Sequence, residues 1–469
     1  MRRRARAVVG SSAAAAEPGL LLKARDRANR IARDSPARLA LFIFATIILV
    51  ETSLLSLPAS TSSGQRAPIV DAFFTATSSV CVTGLVTVDT ATYWSPLGQF
   101  FIAVGMMVGG LGIMMMASIL GMAVSRRIGL TQRLLAATET KSRLGEVGLL
   151  VRTVVVVSLS AQAILFLALT PFFTREGEAL LSALWHAAFM AISIFNNGGF
   201  VISHDGLAPY AGDWSLTLPI IFGTIVGAIG FPVVLDIWRR RHHVAKWSLT
   251  TKLTLVTHAV LILLGALLFF LFEWDNPETL RNLSIGDQVQ ASFLHSTVAR
   301  SSGLATLDVG SMTQSTWFLL DGLMFIGGGS TSAAGGIKVT TLAVLFLAII
   351  AEARGDRDTE AFGRRIPAEV LRLAIAATFL ASLIVGMGTI ALMEVSGLPL
   401  ADALFETISA FATCGLSTGV TSALPTAGKY IIAILMFAGR TGTMTLAAAL
   451  ALRTRRRVIH YPEEWPTIG

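Results

Sequence analysis

The chain carries little charge for its length. Only 14% of its 469 residues are Asp, Glu, Lys or Arg, whereas a soluble domain contains about 25%. Hydrophobic residues make up 53%, and the mean hydropathy is +0.68. Nearly uncharged segments such as Leu39–Leu57 and Leu216–Leu235 are long enough to cross a ~30 Å hydrocarbon core as helices. The composition excludes an ordinary soluble domain and predicts a polytopic membrane protein.

The chain also lacks the motifs of most enzymes. Its two cysteines, Cys81 and Cys414, lie in apolar surroundings and permit one disulfide at most, so we interpret them as small buried thiols. The seven histidines show no metal spacing apart from the adjacent His242 and His243, and no H-E-x-x-H, activated nucleophile, phosphate loop or dinucleotide fingerprint occurs. We therefore predict that the chain is no enzyme, needs no cofactor of its own, and receives any nucleotide control from a partner.

The net charge of +8 is distributed in a way that indicates topology rather than nucleic-acid binding. Thirty of the 37 Lys and Arg residues lie in segments 1–38, 124–152, 239–252, 352–372 and 453–457. This is the positive-inside pattern, and it predicts that both termini are cytoplasmic. Residues 1–38 contain no continuous apolar core, so we interpret them as a basic cytoplasmic tail rather than a signal peptide, and 453–469 as a second tail.

A short apolar segment recurs four times, as "FFTATSSVCVTGLVTVD", "AAFMAISIFNNGGFVIS", "SFLHSTVARSSGLATLD" and "LFETISAFATCGLSTGV". Aligned without gaps, these segments place Gly84, Gly198, Gly303 and Gly415 in one column, at spacings of 114, 105 and 112 residues. About ten apolar residues are too few to span the bilayer but suffice for a half-helix that enters it and returns as a loop. Recurrence at a near-constant period indicates internal repeats.

The basic segments lie on one face, so an even number of crossings separates each from the next. The predicted fold is an all-α integral membrane protein of four parallel repeats, each a helix, a re-entrant pore loop and a helix. Eight spanning helices would surround a central pore of pseudo-fourfold symmetry. The repeats are assigned to residues 39–123, 149–238, 249–352 and 366–452.

Four such loops indicate a cation pathway. Non-helical backbone at membrane depth persists only where it lines a cavity or is covered by protein. Rings of backbone carbonyls can replace an ion's hydration shell, glycine permits the tight turns, and the C-terminal ends of half-helices favour a cation. The alternative is that these glycines are helix-packing contacts. The candidate filter residues are Val82, Thr83, Gly84, Asn196, Asn197, Gly198, Ser301, Ser302, Gly303, Thr413, Cys414 and Gly415.

A glycine-rich stretch, "GGGSTSAAGGIK" (Gly327–Lys338), interrupts the second helix of the third repeat. Without it, Trp317–Ala351 would form one helix of ~52 Å, longer than the bilayer requires. Each of its five glycines disfavours helix by ~1 kcal/mol relative to alanine. We predict that the stretch unwinds and lines the cavity beneath the filter. A static break needed only for packing is the alternative.

The segments "SSVCVTGLVTVDT", "SIFNNGGF", "TVARSSGL" and "FATCGLSTG" resemble the four pore loops of the Trk/Ktr/HKT superfamily of potassium transporters. The resemblance extends from about Leu39 onward and is closest to the Ktr-type membrane subunit, because only eight spanning helices are expected. Plant members that conduct sodium carry serine at the first filter position, so Gly84 implies potassium selectivity. A sodium-coupled symporter, or another parallel-repeat secondary transporter, is the alternative.

The resemblance also implies a gate, a partner and an assembly. The glycine-rich stretch would block the ion path, and Arg440 in the last helix would face it, unless Arg440 forms a purely structural salt bridge. A cytosolic ring of nucleotide-binding RCK (KTN) subunits would dock on the basic face, and the membrane subunit would be a homodimer in the cell membrane. The candidate gate residues are Gly327, Gly328, Gly329, Ser330, Thr331, Ser332, Gly335, Gly336, Lys338 and Arg440.

Five further charged residues lie near the loops. We expect Arg300, three residues before its glycine, to brace the filter from behind. Asp89 and Asp308, each five residues after a loop glycine, would lie at the outer mouth and either attract cations or cap loops. Asp71 and Asp402, each thirteen residues before a loop glycine, are expected to cap the pore-helix N-termini.

Overall fold

The computed structural model describes residues 36–125, 143–241 and 243–452, which are almost entirely helical. The α-helices are α1 Pro36–Leu55, α2 Ile69–Val80, α3 Thr90–Tyr93, α4 Pro96–Ser125, α5 Arg143–Arg175, α6 Leu180–Asn196, α7 Trp214–Ile229, α8 Phe231–Arg240, α9 Leu249–Glu273, α10 Ile285–Val298, α11 Gln314–Phe325, α12 Val339–Arg354, α13 Ala368–Ser396, α14 Leu400–Ala412 and α15 Thr426–Leu452. Strands β1 (Glu360–Ala361) and β2 (Arg364–Arg365) pair antiparallel between α12 and α13. Short 3₁₀ turns occupy Pro58–Ser60, Ala208–Tyr210, Val244–Lys246, Val309–Ser311 and Val420–Ala423.

Three helical segments in the described part of the chain are long and apolar enough to cross a membrane alone: Arg152–Arg175 in α5, and the whole of α9 and α13. The pair α7 and α8 qualifies as a fourth, but it bends by 94°. Shorter apolar segments lie in α1, α2, α4 and α6. The chain is therefore a multi-pass membrane protein, and the expected total of eight crossings stays a prediction.

Four short helices, α2, α6, α10 and α14, occupy the interior. Each packs against the long helix that precedes it, namely α1, α5, α9 and α13. Most of their residues are buried, including hydroxyl side chains such as Ser78, Ser193 and Ser409. Because each short helix is enclosed by protein, the polar backbone of the loop that follows it is also kept from lipid.

Each short helix, with the helix before it and the helix after it, forms one unit. The contacts between the four units form a closed circuit. Helix α4 packs on α6, α7 on α10, and α11 on α14, so each unit contacts the short helix of the next. Helix α15 then packs on α2 and returns the circuit to its beginning. This arrangement brings the four loops that follow the short helices to one place.

Two helices on this circuit are broken. Helix α11 ends at Phe325 and the chain resumes as α12 at Val339, with the glycine-rich stretch between them. Segment Leu216–Leu235, predicted as one spanning helix, is instead interrupted at Gly230, whose φ is +95°. The single-helix prediction is wrong there because this backbone conformation suits glycine and Pro232, shortly after it, cannot donate a helical hydrogen bond.

Candidate functional site

Three of the four loops leave their helices with the same backbone turn. In each of these loops, the first or second residue after the helix has positive φ. The glycine two positions later also has positive φ. The residue between them donates its N–H to the carbonyl of a serine five positions back. The positive-φ pairs are Val82 with Gly84, Asn197 with Gly199, and Thr413 with Gly415, and the returning bonds are Thr83 to Ser78 (2.8 Å), Gly198 to Ser193 (2.6 Å) and Cys414 to Ser409 (2.9 Å).

This turn pairs Gly199, rather than Gly198, with Gly84 and Gly415. The ungapped alignment is therefore displaced by one residue in the second loop, and Gly198 takes the position of Thr83 and Cys414. The sequence "NNGG" offers two adjacent glycines, and only the backbone conformation distinguishes them: Gly199 has φ +72°, whereas Gly198 does not lie in the left-handed region.

Each loop glycine lies directly against the backbone of a neighbouring loop. A Cβ on Gly84 would lie 2.7 Å from the Gly199 Cα, and one on Gly199 would lie 2.8 Å from the Ser302 carbonyl oxygen. A Cβ on Gly303 would lie 2.6 Å from the Cys414 carbonyl oxygen, and one on Gly415 would meet the Thr83 carbonyl oxygen. The four loops thus touch in a closed order with no room for side chains at these positions.

The residue before each glycine presents its carbonyl oxygen to this junction. The four carbonyls, those of Thr83, Gly198, Ser302 and Cys414, accept no hydrogen bond from the described part of the chain. Buried side-chain atoms without a hydrogen-bond partner among the described residues are also concentrated here, on Thr83, Asn196, Asn197, Ser301, Ser302 and Thr413. Since buried polar groups are normally hydrogen-bonded, the four uncommitted carbonyl oxygens at the junction are suited to coordinating a cation.

The loops open on one side into a cavity of ≈310 Å³, lined by Gly84, Gly199, Gly303 and Gly415 together with Asp89 and Asp308. Both carboxylates also cap short turns. Asp89 accepts the Ala91 N–H (3.1 Å), and Asp308 accepts the Gly310 N–H (3.1 Å). The two roles considered from the sequence, mouth and cap, are therefore structurally compatible with each other.

Asp71 and Asp402 lie in the first turns of α2 and α14, but they do not cap them. The N-cap residues are prolines, and each carboxylate instead accepts a hydrogen bond from a threonine beyond its loop, Thr87 (2.9 Å) and Thr418 (3.1 Å). The capping prediction is therefore wrong. The acids fasten the chain that leaves each loop to the start of its helix.

Sequence reasoning missed a buried acid in α14. Glu406 accepts hydrogen bonds from Ser417 Oγ (2.6 Å), the Thr418 N–H (2.9 Å) and the Thr421 hydroxyl. It anchors the exit of the fourth loop. Its position inside the apolar run "LFETISAFA" was the available signal, because intramembrane charges are rare and usually functional.

Arg300 is buried and directed away from the loop junction toward α9. Its Nη1 donates to the His258 carbonyl oxygen (3.1 Å), and its Nη2 contacts His258 Nδ1. An arginine cannot accept a hydrogen bond, so Nδ1 must be the acceptor and the ring is held without a proton there. This contact is consistent with the expected brace behind the third loop.

The glycine-rich stretch between α11 and α12 is held by two cationic side chains. Arg440 is buried, and its guanidinium donates to the carbonyl oxygens of Ala333 and, at 3.4 Å, Gly109. Lys338 Nζ donates to the Ala334 carbonyl oxygen at 2.6 Å. Arg440 forms no ion pair within the described residues, so the structure does not support a purely structural salt bridge.

Backbone contacts tie the same stretch to the break between α7 and α8 and to the fourth loop. The N–H groups of Gly329 and Ala333 donate to the carbonyls of Ala228 (2.7 Å) and Gly227 (3.2 Å). The missing Cβ of Gly335 faces the Thr413 hydroxyl and the Ala412 carbonyl oxygen. The stretch thus lies against the end of α14 as well as α7.

Comparison with known proteins identifies the family. The chain matches the family model TrkH, described as a cation transport protein, over residues 9–455. This chain belongs to the TrkH family. It is 37% identical to the Ktr system potassium uptake protein B of Bacillus subtilis over 94% of this chain and 98% of that protein. It is 33% identical to the potassium/sodium uptake protein NtpJ of Enterococcus hirae, covering 93% and 98%.

The fold agrees with a solved member of the same family. The potassium transporter TrkH from Vibrio parahaemolyticus superimposes with a TM-score of 0.67 at 18% identity, over 86% of this chain and 83% of that one. The TrkH family is one of cation transport proteins, which are not enzymes, and the Bacillus subtilis relative is named as a potassium uptake protein. Among the described residues of this TrkH-family chain, no group of three or more His, Cys, Asp or Glu side chains could hold a metal ion.

Proposed function

We propose that the chain takes up potassium through a selectivity filter formed by its four loops. The observation that carries the proposal is the closed junction at which each loop glycine lies against the backbone of a neighbouring loop. Four carbonyls at this junction accept no hydrogen bond from the described residues. The circuit of helix contacts supports four parallel repeats, at 39–123, 149–238, 249–352 and 366–452, around a pseudo-fourfold axis. Eight crossings would place both termini on the same side, and the positive-inside pattern indicates that this side is the cytoplasm.

The donor set suits potassium. Neutral carbonyl and hydroxyl oxygens can replace the hydration shell of a monovalent cation without binding it too tightly to leave. The ends of α2, α6, α10 and α14 contribute the partial negative charge of helix C-termini. The twelve predicted filter residues are retained, and Gly199 joins them.

The stretch Gly327–Lys338 is proposed as the gate. It is non-helical, lies against the end of α14, and is fastened by Arg440 and Lys338 through carbonyl oxygens. Releasing those bonds would let a stretch of mostly small side chains move with little steric hindrance. While the stretch is fastened in this position, the two cationic groups would also repel potassium.

A regulatory partner and a second copy complete the proposal. The relative from Bacillus subtilis is named as part of a Ktr system, and the basic segments offer a docking face for a ring of nucleotide-binding RCK subunits. We propose a homodimer in the cell membrane. The name of the Enterococcus relative mentions sodium beside potassium, which keeps sodium coupling as the second candidate.

The test is cation flux into liposomes that contain the purified chain. Potassium, rubidium and sodium are compared for the native protein, for Gly84→Ser and for Gly64→Ser. Gly64 also has positive φ but has no heavy atom within 4 Å of where a Cβ would lie, so it is the matched control. We expect potassium and rubidium flux to exceed sodium flux, with the preference reduced only in Gly84→Ser.

Other outcomes separate the candidates. Potassium flux that requires a sodium gradient would favour the symporter, and flux of an organic solute without cation selectivity would overturn the filter. If the native chain shows no cation flux, deletion of Ser330–Ala334 should produce potassium flux. No flux in either protein would contradict the proposal that the stretch Gly327–Lys338 is the gate.

A further inference from the structure

Helix α8 runs nearly perpendicular to α7, and this bend together with the length of α7 is the basis for placing α8 at one boundary of the membrane. Helix α7 has 16 residues and so runs ~24 Å, most of a ~30 Å hydrocarbon core, before the chain bends by 94° at Gly230. Helix α9, which is long enough to span alone, begins soon afterwards at Leu249. If α7 crosses most of the bilayer, a helix nearly perpendicular to it and just before α9 would lie along the interface.

One side of α8 faces the protein and the other side is free. Phe231 and Val233 are buried, whereas Trp238 is 67% exposed. Arg239, Arg240 and Arg241 are exposed as well.

These arginines are not equally engaged. Arg240 pairs with Asp236 (2.9 Å), but Arg239 and Arg241 form no ion pair with any described residue. Two guanidinium groups that pair with no acid in the described ranges therefore adjoin an exposed indole: Arg239 lies on α8, and Arg241 directly follows it.

We propose that α8 binds anionic phospholipid headgroups of the cytoplasmic leaflet through Arg239, Arg241 and Trp238. The inference rests on the proposed function, in which the basic segments and both termini face the cytoplasm. One guanidinium group can donate two parallel hydrogen bonds to a phosphate. Tryptophan side chains are enriched at the level of the lipid headgroups. Basic amphipathic helices in the interface plane are attracted to anionic lipid.

The site is mechanically connected to the glycine-rich stretch. The break at Gly230 frees the carbonyls of Gly227 and Ala228, and these accept the N–H groups of Ala333 and Gly329. The missing Cβ of Gly230 faces the Ser330 carbonyl oxygen. Any reorientation of α8 must therefore disturb the stretch.

The far end of α8 is tied to α9. Asp236 accepts hydrogen bonds from the Ser248 N–H (2.8 Å) and Thr251 Oγ1 (2.6 Å), so α8 is fixed to the start of that helix. Bound headgroups would hold α8 in its present orientation, which is also the one that holds the stretch in place. Anionic lipid should consequently favour the shut state.

The first experiment measures binding directly. The full chain is reconstituted with brominated phosphatidylglycerol or brominated phosphatidylcholine, and the fluorescence of Trp238 is obtained as the difference between the native protein and Trp238→Phe. We expect stronger quenching by the anionic lipid, with the preference falling roughly fivefold per arginine in R239Q/R241Q. The control R354Q/R357Q removes two exposed arginines at the end of α12 and should keep the preference.

Equal quenching by the two lipids in the native protein would overturn the site. So would an equal loss in the control pair, because general surface charge would then explain the preference. If R239Q/R241Q keeps its lipid preference but no longer responds to a nucleotide-binding partner, the surface belongs to that protein and the lipid site is refuted.

The second experiment measures potassium flux at saturating potassium as phosphatidylglycerol replaces phosphatidylcholine. We expect native flux to fall, and R239Q/R241Q to lose that dependence while the control pair keeps it. Flux that ignores lipid charge would overturn the connection to the stretch. Quenching that succeeds while no lipid supports flux would instead contradict the proposed transport function and leave the lipid site standing.

Discussion

The four loops of the proposed filter and the glycine-rich stretch both interrupt helices with the help of glycine, but their carbonyl oxygens have opposite hydrogen-bonding states. In the loops, the carbonyls of Thr83, Gly198, Ser302 and Cys414 accept nothing from the described residues. In the stretch, the carbonyls of Ala333 and Ala334 are taken by Arg440 and Lys338.

The two regions differ in the kind of cation that their carbonyl oxygens can bind. An ammonium or guanidinium group on a carbonyl oxygen makes the same kind of contact as a bound potassium ion, but it is tethered. In the proposed function the free carbonyls of the loops would bind a mobile cation, whereas those of the stretch are bound by the protein's own cations. Glycine serves both regions, by permitting close approach in the loops and by weakening helix in the stretch.

The largest effect is expected where the loops have least room. Gly199→Ala would place a Cβ 2.8 Å from the Ser302 carbonyl oxygen and 3.0 Å from the Gly84 Cα, at φ +72°. A left-handed conformation alone costs an L-residue ~1–2 kcal/mol. If the loops form the filter, the displaced carbonyls would lose the geometry that distinguishes potassium from sodium. We expect the preference for potassium over sodium in liposome flux to fall by about tenfold or more.

Gly198→Ala is the sharpest control for this change, because it differs by one position in the chain. Its Cβ would meet the Met106 side chain, which is flexible and can move aside, and φ there is not positive. A smaller loss than in Gly199→Ala is expected. If Gly198→Ala proves the more damaging, Gly198 is the filter glycine and the pairing of Gly199 with Gly84 and Gly415 is wrong.

The same positions show what the sequence could reveal. The recurrence of Gly84, Gly303 and Gly415 was sufficient to locate the loops, because none of these glycines has a second glycine directly beside it. In "NNGG" the choice depends on which residue takes positive φ, and that follows from the hydrogen bond of Gly198 to Ser193. Local composition does not contain this information.

The two helix breaks show a similar limit. Five glycines in twelve residues overcome helix formation locally, so the interruption at Gly327–Lys338 could be anticipated. One glycine and one nearby proline at Gly230 do not, since both residues are common in membrane helices. There the break is stabilised from outside, by N–H groups of Gly329 and Ala333 that lie about a hundred residues away.

An effect of intermediate size on potassium flux is expected from a change to the cations that hold the glycine-rich stretch. Arg440→Gln removes the charge that holds the Ala333 and Gly109 carbonyls. A hydrogen bond to a charged group contributes about 1.5–3 kcal/mol, so its loss should shift the stretch toward release by roughly ten- to a hundredfold. We expect higher potassium flux through the isolated chain, measured in liposomes.

Lys338→Met provides the graded comparison, because it removes a single bond to Ala334. Its flux should lie between that of the native protein and that of Arg440→Gln. Size-exclusion profiles of both variants in detergent would establish that they fold. Well-folded variants with unchanged flux would mean that the cations on the stretch are packing contacts, and the contrast with the loops would then lose its meaning.

The smallest effect is expected at the cavity outside the proposed filter, where the charge of an aspartate can be separated from its capping role. Asp89 and Asp308 line the cavity and also cap short turns. Asparagine is as good a cap as aspartate but carries no charge. If the carboxylates concentrate cations, Asp89→Asn with Asp308→Asn should lower potassium flux about twofold at low ionic strength. The same pair should leave flux unchanged in ~0.5 M of an impermeant salt, where charges are screened within a few ångströms.

If Asp89 and Asp308 act only as caps, the asparagine pair should match the native protein at every salt concentration, while the alanine pair should lower thermal stability. The carboxylates would then support the shape of the mouth without attracting ions, and the cation preference would reside in the carbonyl oxygens below them.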